Sequence, residues 1–521
     1  DLVAKTEYGD YWAIQCKCYA DDAVIDKGAL NSFLANASRS FTDPETFQTK
    51  EFSNLVWVQT SLGRWGANAS AAIQGLNKPF NCISLYDLAI SSVDWEKLSD
   101  EISGKDARLP GKQPLKHQLE AISKAYTHFV ENGADRGKLI MACGTGKTYT
   151  SLKIVENMTL ENAVILFLVP SIALLGQTLN AWMADKTGEM KAICVCSDAK
   201  VTRKMKDLDD IDQSTVDLAV PATTNVKSVL NQLAKYREDN CRIVVFSTYQ
   251  SIEVVKEAAD AANLEFDLVI CDEAHRTAGR IESPFTKIHD NDFIRAKKRL
   301  YMTATPRIYS DSVKVKVKEN EDVLYSMDDS ATYGEEFHRL SFNSAVSQGL
   351  LSDYKVLVLT VSEEDIPQNI RTKIKEQYNA ASDPEKKNEL QFDDATKLIG
   401  CINGLSKRIK GDNGITKKHD PLLMKRAVAF CSTINPTSSN PNFSSTQIAR
   451  YFGELCEEYK ATLPENERNE VVDICAKHID GSMDANTRNG LIAWLKEDAE
   501  ENECRILCNV RCLSEGVDVP A

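Results

Sequence analysis

The 521-residue sequence predicts an α/β protein built on parallel sheets, and two patterns support that prediction. First, the segment MACGTGKT at residues 141–148 joins an apolar strand to a helix, an arrangement that can bind phosphate at the helix N-terminus. Second, strands and helices continue to alternate after this segment, and each strand ends in polar residues. Because a chain of this length exceeds one hydrophobic core, we expect about three domains.

The composition is typical of a globular protein from a reducing compartment. Hydrophobic residues make up 43% and charged residues 26%, and no apolar run reaches the roughly 18 residues of a membrane span. Fifteen cysteines without paired CxxC groups indicate reduced thiols, so we expect a cytoplasmic protein with no membrane partner. The net charge of −14 repels phosphate, so nucleic acid must bind at local basic surfaces. The chain opens at Asp1 without a methionine or a secretory signal, and we expect residues before it.

Residues 1–92 contain a candidate nuclease site. The run YWAIQCK alternates like a strand, and a turn ahead of it predicts a hairpin with the first residues of the chain. That hairpin brings Asp1, Gln15 and Lys17 within reach of one another, where they can hold Mg²⁺ and help a water attack a phosphodiester. The pattern resembles the PD-(D/E)xK nuclease core in its Mrr-like QxK form. The alternative is an exposed strand with a solvated lysine.

Residues 93–113 contain glycines and prolines among charges, which indicates a linker. The helix that follows is predicted from an apolar stripe at Leu115, Leu119, Ile122, Tyr126 and Phe129. Gln118 then lies on another part of the surface, where its amide can pair with both the donor and the acceptor of an adenine edge. The alternative for Gln118 is a solvated helix residue.

The segment at residues 141–148 is the candidate phosphate site. Gly144, Thr145 and Gly146 let the backbone amides turn toward an anion, and the N-terminus of the next helix faces the same point. Lys147 would neutralise the β- and γ-phosphates of ATP, and Thr148 would offer its hydroxyl to Mg²⁺. Met141 stands where the usual GxxxxGK[ST] pattern has its first glycine. The alternative is an ordinary glycine-rich turn between a strand and a helix.

Four later apolar runs are predicted as strands of the same sheet, and each ends in polar residues. The residues at these ends are Pro170 and Ser171, then Ser247 and Thr248, then Asp272, Glu273 and His275, and finally Thr303 and Thr305. Because the carboxyl ends of parallel strands meet at one edge of a sheet, we expect a ligand to bind there.

These motifs, in this order, resemble the first lobe of superfamily 2 helicases. The resemblance implies that Asp272 holds Mg²⁺ through water and that Glu273 orients and deprotonates the attacking water. It implies that His275, Thr303 and Thr305 couple hydrolysis to DNA movement. It also implies strand contacts from Pro170, Ser171, Ser247 and Thr248. The alternative is a chance DEAH sequence on a helix surface.

Residues 114–310 are therefore interpreted as a first RecA-like lobe, residues 311–350 as an inter-lobe crossing and residues 351–521 as a second lobe with a charge-rich helical segment at 362–425. The resemblance implies ATP contacts from Gly516 and Asp518, and DNA contacts from Arg511 and Glu515. The arginine-bearing motif that follows in the family is not in the sequence, so we expect an incomplete second lobe. The predicted fold is a PD-(D/E)xK nuclease-like domain followed by two RecA-like parallel-sheet lobes.

A nuclease-like domain ahead of such a motor resembles Type ISP (single-polypeptide Type I) restriction-modification enzymes. The resemblance implies ATP and Mg²⁺ as cofactors, double-stranded DNA as partner and a second copy of the enzyme as an open possibility for head-on meeting on DNA. It implies an adenine N6-methyltransferase using S-adenosylmethionine, and a target-recognition domain, only for a longer parent chain. The alternatives are a remodelling ATPase whose N-terminal domain merely binds nucleic acid, and an ATP-driven RNA helicase.

Overall fold

The computed structural model is a mixed α/β structure. It describes residues 2–6, 10–20, 23–61, 65–74, 76, 78–89, 91–100, 107–196, 218, 221–280, 283–319, 324–354, 356, 372, 392–408, 422–435, 444–481, 483 and 485–510. The chain forms two compact units, one of Asp1–Arg203 with Asp212–Ser352 and one of Lys204–Ile211 with Asp353–Ala521. Among the helices in these ranges, none is both long enough and apolar enough to span a bilayer.

The N-terminal part of the first unit is a small sheet flanked by helices. Its elements are β1 (Leu2–Lys5), β2 (Tyr11–Lys17), α1 (Lys27–Ala37), β3 (Phe41–Thr42), β4 (Thr49–Lys50), β5 (Phe52–Gln59), α2 (Ala67–Gln74), β6 (Phe80–Ile83), α3 (Leu85–Ala89) and α4 (Trp95–Ser99). The sheet has the order β1-β2-β5-β6. The predicted hairpin is confirmed, because β1 runs antiparallel to β2 with Leu2 opposite Ile14. The strands β2, β5 and β6 are parallel.

One face of this sheet packs against α1 and α2. Leu55 and Trp57 alternate along β5 and join Leu30 and Phe33 of α1 in one apolar core. Since successive strand residues point to opposite faces, this core takes every second residue of β5. Trp57 is fully buried and is the largest side chain in the core.

The rest of the first unit is built on a larger sheet. Its elements are α5 (Lys116–Tyr126), β7 (Arg136–Met141), α6 (Lys147–Met158), β8 (Val164–Val169), α7 (Ile172–Asp185), β9 (Met190–Val195), α8 (Val226–Glu238), β10 (Arg242–Thr248), α9 (Ile252–Ala261), β11 (Leu268–Cys271), β12 (Gly279–Arg280), β13 (Arg299–Thr303), α10 (Asp311–Glu319), β14 (Leu324–Tyr325), α11 (Ser330–Tyr333), β15 (Glu335–Leu340) and α12 (Phe342–Ser347). Seven strands pair in the order β15-β7-β13-β11-β8-β10-β9, and every pairing is parallel, as the sequence predicts.

Both faces of the larger sheet are buried. Along β8, Ile165 and Phe167 belong to the core on one face, whereas Val164 and Leu166 belong to the core on the other. A strand covered on both faces needs apolar residues at every position, which explains the unbroken run VILFLV. The polar residues after each strand therefore lie at an edge, where the chain leaves the sheet.

The predicted crossing at residues 311–350 is wrong, because β15 belongs to the first sheet. Its residues Glu335–Leu340 pair in parallel with β7, the strand that leads into the phosphate loop. Gly334 makes this approach possible, since a Cβ on Gly334 would lie 2.1 Å from the Arg136 carbonyl oxygen. The first unit accordingly extends to Ser352. Sequence periodicity cannot reveal this pairing, because β15 and β7 are almost 200 residues apart.

The predicted linker at residues 93–113 is also corrected, because its described part packs on the larger sheet's helices. The Arg108 guanidinium donates to the carbonyls of Met183 and Ala184 at the end of α7, at 2.9 Å for Ala184. Lys112 forms an ion pair with Asp185, 3.1 Å between Nζ and Oδ2. The Tyr149 hydroxyl, two residues after Lys147, donates to the Lys112 carbonyl.

The predicted stripe on α5 is wrong for three of its five residues. Leu115, Leu119 and Tyr126 are exposed, whereas Ala121 and Ala125 are fully buried. Small residues let α5 approach its neighbours closely, so the buried face is centred on the alanines. A π-helical turn at Thr127–Glu131 then changes the helical phase and carries Phe129 into the core.

The second unit contains a three-stranded parallel sheet. Its elements are α13 (Phe392–Leu405), β16 (Arg426–Phe430), α14 (Ser445–Thr462), α15 (Glu465–Arg468), β17 (Asp473–His478), α16 (Ala485–Lys496) and β18 (Glu503–Asn509). The strand order is β16-β18-β17. Most of the predicted helical segment at 362–425 lies outside the described residues, and its longest described stretch is the helix α13.

Candidate functional site

The phosphate loop connects β7 to α6 and has the backbone that an anion site needs. Gly144 and Gly146 have φ angles of 79° and 83°, in the left-handed region that favours glycine. A Cβ on Gly146 would lie 2.4 Å from Gln118 Nε2, so a side chain at this position would displace the Gln118 amide. No side chain caps the N-terminus of α6, which follows at Lys147. Its first amides are therefore available to a phosphate.

Lys147 lies between the loop and the acidic pair. Its Nζ is 4.0 Å from Glu273 Oε1 and 3.5 Å from the Met141 carbonyl oxygen. Thr148 is held through its carbonyl, which accepts a 3.0 Å hydrogen bond from Trp182 Nε1. The side chains that the sequence predicted to act on phosphate and metal thus start from a rigid helix terminus.

Asp272 and Glu273 follow β11. This strand pairs with β13, and β13 in turn pairs with β7. Glu273 has φ 45° and ψ 48°, a left-handed conformation that is uncommon for a residue other than glycine. Such strain persists at sites where the surroundings over-determine a side-chain direction. Here it coincides with a Glu273 amide that donates to Asp272 Oδ1 at 2.9 Å.

The two acids differ in charge state. Burial raises the pKa of Asp272, and the neighbouring Glu273 charge raises it further. Burial acts in the same direction on Glu273, but hydrogen bonding from His275 and the charge of Lys147 outweigh it and hold the pKa of Glu273 below its usual value. Glu273 is therefore the carboxylate at neutral pH, and Asp272 requires a nearby cation to ionise fully.

The donor set fits a magnesium ion that arrives with a nucleotide. Within the part of the chain that the structure describes, no three His, Cys, Asp or Glu side chains cluster as a metal cage. Mg²⁺ is commonly held by one or two carboxylates together with substrate phosphates. Asp272 and the Thr148 hydroxyl are the residues that would hold it. The observation that favours a cation here is that the Asp272 carboxyl is buried beside Glu273, which raises its pKa unless a positive charge lies close to it.

His275 joins the acidic pair to the next strand. Its Nδ1 lies 3.0 Å from Thr303 Oγ1 and 3.4 Å from Glu273 Oε2. Thr303 is fully buried at the end of β13, and its hydroxyl also accepts a 3.2 Å bond from the Thr305 amide. A displacement of the Glu273 side chain can therefore be transmitted to β13 through the imidazole ring of His275.

The residues predicted to contact DNA at two other strand ends are largely buried. Pro170, Ser247 and Thr248 have buried side chains, and their contacts with DNA remain predictions from the sequence. Ser171 is partly exposed, but its hydroxyl caps α7 by accepting from the Leu174 amide. The physical reason is that β10 continues through Thr248, two residues further than the apolar run indicates.

Gln118 is buried, and its prediction as a surface residue is wrong. Its Oε1 accepts from the Leu115 amide at 2.9 Å, and its Nε2 donates to the Thr145 carbonyl at 3.3 Å. Sequence reasoning missed His117, whose Nε2 lies 2.9 Å from the same carbonyl. The only sequence signal was its place beside Gln118.

The N-terminal sheet brings Gln15 and Lys17 to one face of β2, where Lys17 is opposite Gln59 of β5. Gln15 is buried and donates to the Cys16 carbonyl at 3.3 Å. Gln59, which the sequence analysis did not identify, is almost fully buried, and its Nε2 has no hydrogen-bond partner among the described residues. A polar cluster therefore surrounds Lys17 on an otherwise apolar face.

Five predicted site residues lie outside the part of the chain that the structure describes. They are Asp1, Arg511, Glu515, Gly516 and Asp518. Their roles remain predictions from the sequence.

Two family models match the chain in the same order as these two sites. A model described as "Restriction endonuclease" matches residues 1–105, and one described as "Type III restriction enzyme, res subunit" matches residues 111–308. These matches agree with a nuclease-like domain followed by a helicase-like domain.

Three known proteins are similar to this chain. The structure of the ATP-dependent Type ISP restriction-modification enzyme LlaBIII bound to DNA is 34% identical with a TM-score of 0.77, covering 100% of this chain and 31% of that one. The Type I restriction enzyme EcoAI endonuclease subunit of Escherichia coli is 25% identical over 371 residues, 68% of this chain and 38% of its own length. The probable helicase A859L of African swine fever virus is 28% identical over 241 residues, 46% of this chain and 23% of its own.

The predicted resemblance to Type ISP restriction-modification enzymes is thereby confirmed. The chain spans less than two fifths of the length of each of these three proteins.

Proposed function

We propose, from this similarity to Type ISP restriction-modification enzymes, that the chain is an ATP-dependent translocase on duplex DNA coupled to a magnesium-dependent endonuclease. The observation that carries the proposal is the meeting of Lys147 with Glu273 at the carboxyl edge of the seven-stranded sheet, 4.0 Å apart. That edge also holds the phosphate loop and the His275–Thr303 contact. A site for ATP and a path from it into the sheet thus occur together.

The residues support a specific division of labour in hydrolysis. The loop amides and Lys147 bind the phosphates and stabilise the charge that develops on the γ-phosphate. Asp272 and Thr148 would hold Mg²⁺, which when bound would supply further positive charge to the phosphate oxygens. Glu273, ionised at neutral pH, orients a water and accepts its proton. Gln118 orients the adenine base with the amide valences that its contacts to Leu115 and Thr145 leave free.

The proposed path from hydrolysis to movement runs through His275. When Glu273 gains a proton, its attraction for His275 weakens, and the imidazole then shifts its hydrogen bonding toward Thr303. The C-terminal end of β13 then moves with the imidazole ring of His275. Arg511 and Glu515 would contact DNA, and Gly516 and Asp518 the nucleotide, from the second lobe.

The nuclease proposal rests on Gln15 and Lys17. Asp1 would supply the fixed negative charge for Mg²⁺, Gln15 a neutral oxygen ligand and Lys17 a cation beside the attacked phosphate. A neutral glutamine binds a divalent cation less tightly than a second acid does. The nuclease should therefore cut efficiently only where the motor holds it on DNA.

The proposed domains are a nuclease domain at residues 1–92, a packed connector at 93–113, a first lobe at 114–352 and a second lobe beyond it. The contacts of Arg108 and Lys112 with the end of α7 support treating residues 107–113 as packed against the first lobe. The LlaBIII similarity supports duplex DNA as the partner. An adenine methyltransferase using S-adenosylmethionine, and a second enzyme copy met head-on, are proposed for the longer parent protein.

The test is a Lys147→Ala substitution. Loss of the ammonium group should slow ATP hydrolysis at least about 10²-fold and stop movement along DNA, because the γ-phosphate charge loses its partner. ATP hydrolysis and displacement of a DNA triplex are measured on the same preparation. Lys124→Ala is the matched control, since Lys124 is exposed and pairs only with Glu120 among the described ion pairs. Normal movement by the Lys147 variant would show that the ATPase assignment is wrong.

A further inference from the structure

Two consecutive side chains of α5 bind one carbonyl group of the phosphate loop. The Nε2 atoms of His117 and Gln118 lie 2.9 Å and 3.3 Å from the Thr145 carbonyl oxygen. His117 is 6% exposed and Thr145 is 4% exposed, so water competes little for these bonds. The proposed function explains Gln118 through the adenine base but leaves His117 without a role.

The chemistry of this contact determines the state of His117. A carbonyl oxygen can only accept a hydrogen bond, so His117 must carry its hydrogen on Nε2 and donate it. The same donation occurs whether the ring is neutral or protonated. The contact therefore acts as a constant restraint on the loop.

The restraint acts on the part of the loop that must face the phosphates. In a trans peptide, the carbonyl of Thr145 and the amide of Gly146 point in opposite directions. Binding the Thr145 carbonyl toward α5 therefore turns the Gly146 amide away from α5. Gly146, with φ 83°, has no Cβ to restrict rotation of this peptide plane, so a hydrogen-bond partner is needed to hold it.

We propose that His117 is a positioning residue for the nucleotide phosphates, acting through the Thr145 carbonyl, an inference that rests on the proposed ATPase function. His117 makes the phosphate loop ready for an anion before the nucleotide binds. Its effect should be independent of the base, because its ring acts on the loop carbonyl. Gln118, by contrast, belongs to both the loop and the base.

Binding of three ligands to the 521-residue chain tests this proposal. The ligands are ATP, GTP and tripolyphosphate, which has no base, each with Mg²⁺. His117→Met removes the donor and keeps an apolar side chain of similar length. It should weaken all three ligands by the same factor, about five- to tenfold, the effect of one ordinary hydrogen bond. His117→Gln places an amide donor near the position of Nε2 and should restore binding of all three.

Two more variants keep the test decisive. His117→Asn has an amide that is too short to reach the Thr145 carbonyl, and it should resemble His117→Met. If His117→Met does not fold, the comparison of the Asn and Gln variants decides. Lys116→Gln, an exposed neighbour, should bind all three ligands normally.

Three outcomes would overturn the proposal. If the His117 variants lose affinity for ATP alone, His117 acts on the base. If the Gln and Met variants bind all three ligands equally weakly, His117 acts through packing. If every variant binds all three ligands normally, His117 has no role in positioning the phosphates. Failure of the unmodified chain to bind any of the ligands would instead overturn the ATPase proposal on which this one rests. The two failures are thus distinguishable.

Discussion

At the scale of single residues, the site combines groups that burial has pushed away from their usual states. Glu273 adopts a left-handed backbone, and the burial of Asp272 makes its ionisation depend on a cation. Neither feature has a sequence signature beyond the letters DE. Both occur where the chain leaves the fully buried strand β11. A functional interpretation of these residues therefore needs the surrounding packing.

His289 is a buried histidine outside the ATP site, and it predicts a pH dependence of stability. Its Nε2 donates to the Thr277 carbonyl and its Nδ1 accepts from the Tyr301 hydroxyl, each at 3.0 Å. Burial lowers the pKa of His289 from 6.5 to about 4, and the charges of Arg136 and Arg299 act in the same direction. The folded protein thus contains a neutral ring.

The sign of the effect follows from proton binding. Between pH 6.5 and about pH 4 the unfolded chain binds a proton that the folded chain does not, so the free energy of unfolding falls as pH decreases through this window. The loss should approach roughly 3 kcal/mol near pH 4. Urea unfolding at pH 7 and pH 4.5 should show a smaller loss for His289→Gln than for the unmodified chain. His128→Gln is the control, and an equal loss in all three proteins would contradict the prediction.

At the scale of elements, the ends of β11 and β13 form one unit through His275. Thr303→Val removes the hydroxyl and keeps the shape of the side chain. ATP hydrolysis should stay within a fewfold of normal, while DNA movement per ATP should fall several-fold, because Thr303 no longer offers His275 a hydrogen bond at 3.0 Å. Hydrolysis and triplex displacement are measured together. Thr178→Val on α7 is the matched control, and unchanged movement per ATP in the Thr303 variant would refute the coupling path.

The approach of β15 to β7 predicts a difference between two glycines with nearly equal φ angles. Gly334 has φ 71° and Gly349 has φ 70°. A Cβ on Gly334 would collide with the Arg136 carbonyl, whereas nothing lies within 4 Å of a Cβ on Gly349. Gly349→Ala should cost about 1 kcal/mol for its backbone conformation alone. Gly334→Ala should cost more than about 3 kcal/mol or prevent folding.

Urea unfolding of the two glycine variants provides the measurement. If both alanine substitutions cost the same free energy of unfolding, then the close contact between Gly334 and β7 does not exist. If Gly334→Ala fails to fold while Gly349→Ala folds, the close contact with β7 and the backbone conformation of Gly334, with ψ −175°, together exclude a side chain there.

At the scale of the whole molecule, the two candidate sites belong to different sheets and share no residue. Lys17→Ala should therefore eliminate nicking of duplex DNA while ATP hydrolysis stays near normal, because the phosphate loop keeps all its contacts. Lys27→Ala, an exposed change on α1 of the same domain, is the control. Nicking that persists in the Lys17 variant, or joint loss of nicking and hydrolysis with the fold intact, would rule out the nuclease assignment.

The sequence by itself determined that the strands of the larger sheet are parallel, and it identified the phosphate loop and the acidic pair. Each of these is written in neighbouring residues: an unbroken apolar run marks a strand buried on both faces, and two glycines around Thr145 mark a turn with positive φ. The hairpin of β1 and β2 was predictable for the same reason, since a short turn brings its strands together.

Only the tertiary structure decided which surfaces those elements bury. The addition of β15 to the sheet edge, the attachment of Arg108 to α7 and the burial of Ser247 all depend on partners far away in sequence. The rotation of α5 depends on how closely its alanines approach the neighbouring elements, and that rotation brought His117 and Gln118 to the Thr145 carbonyl. Local periodicity predicts that a helix has a buried face, but the free energy of packing against distant residues selects which face it is.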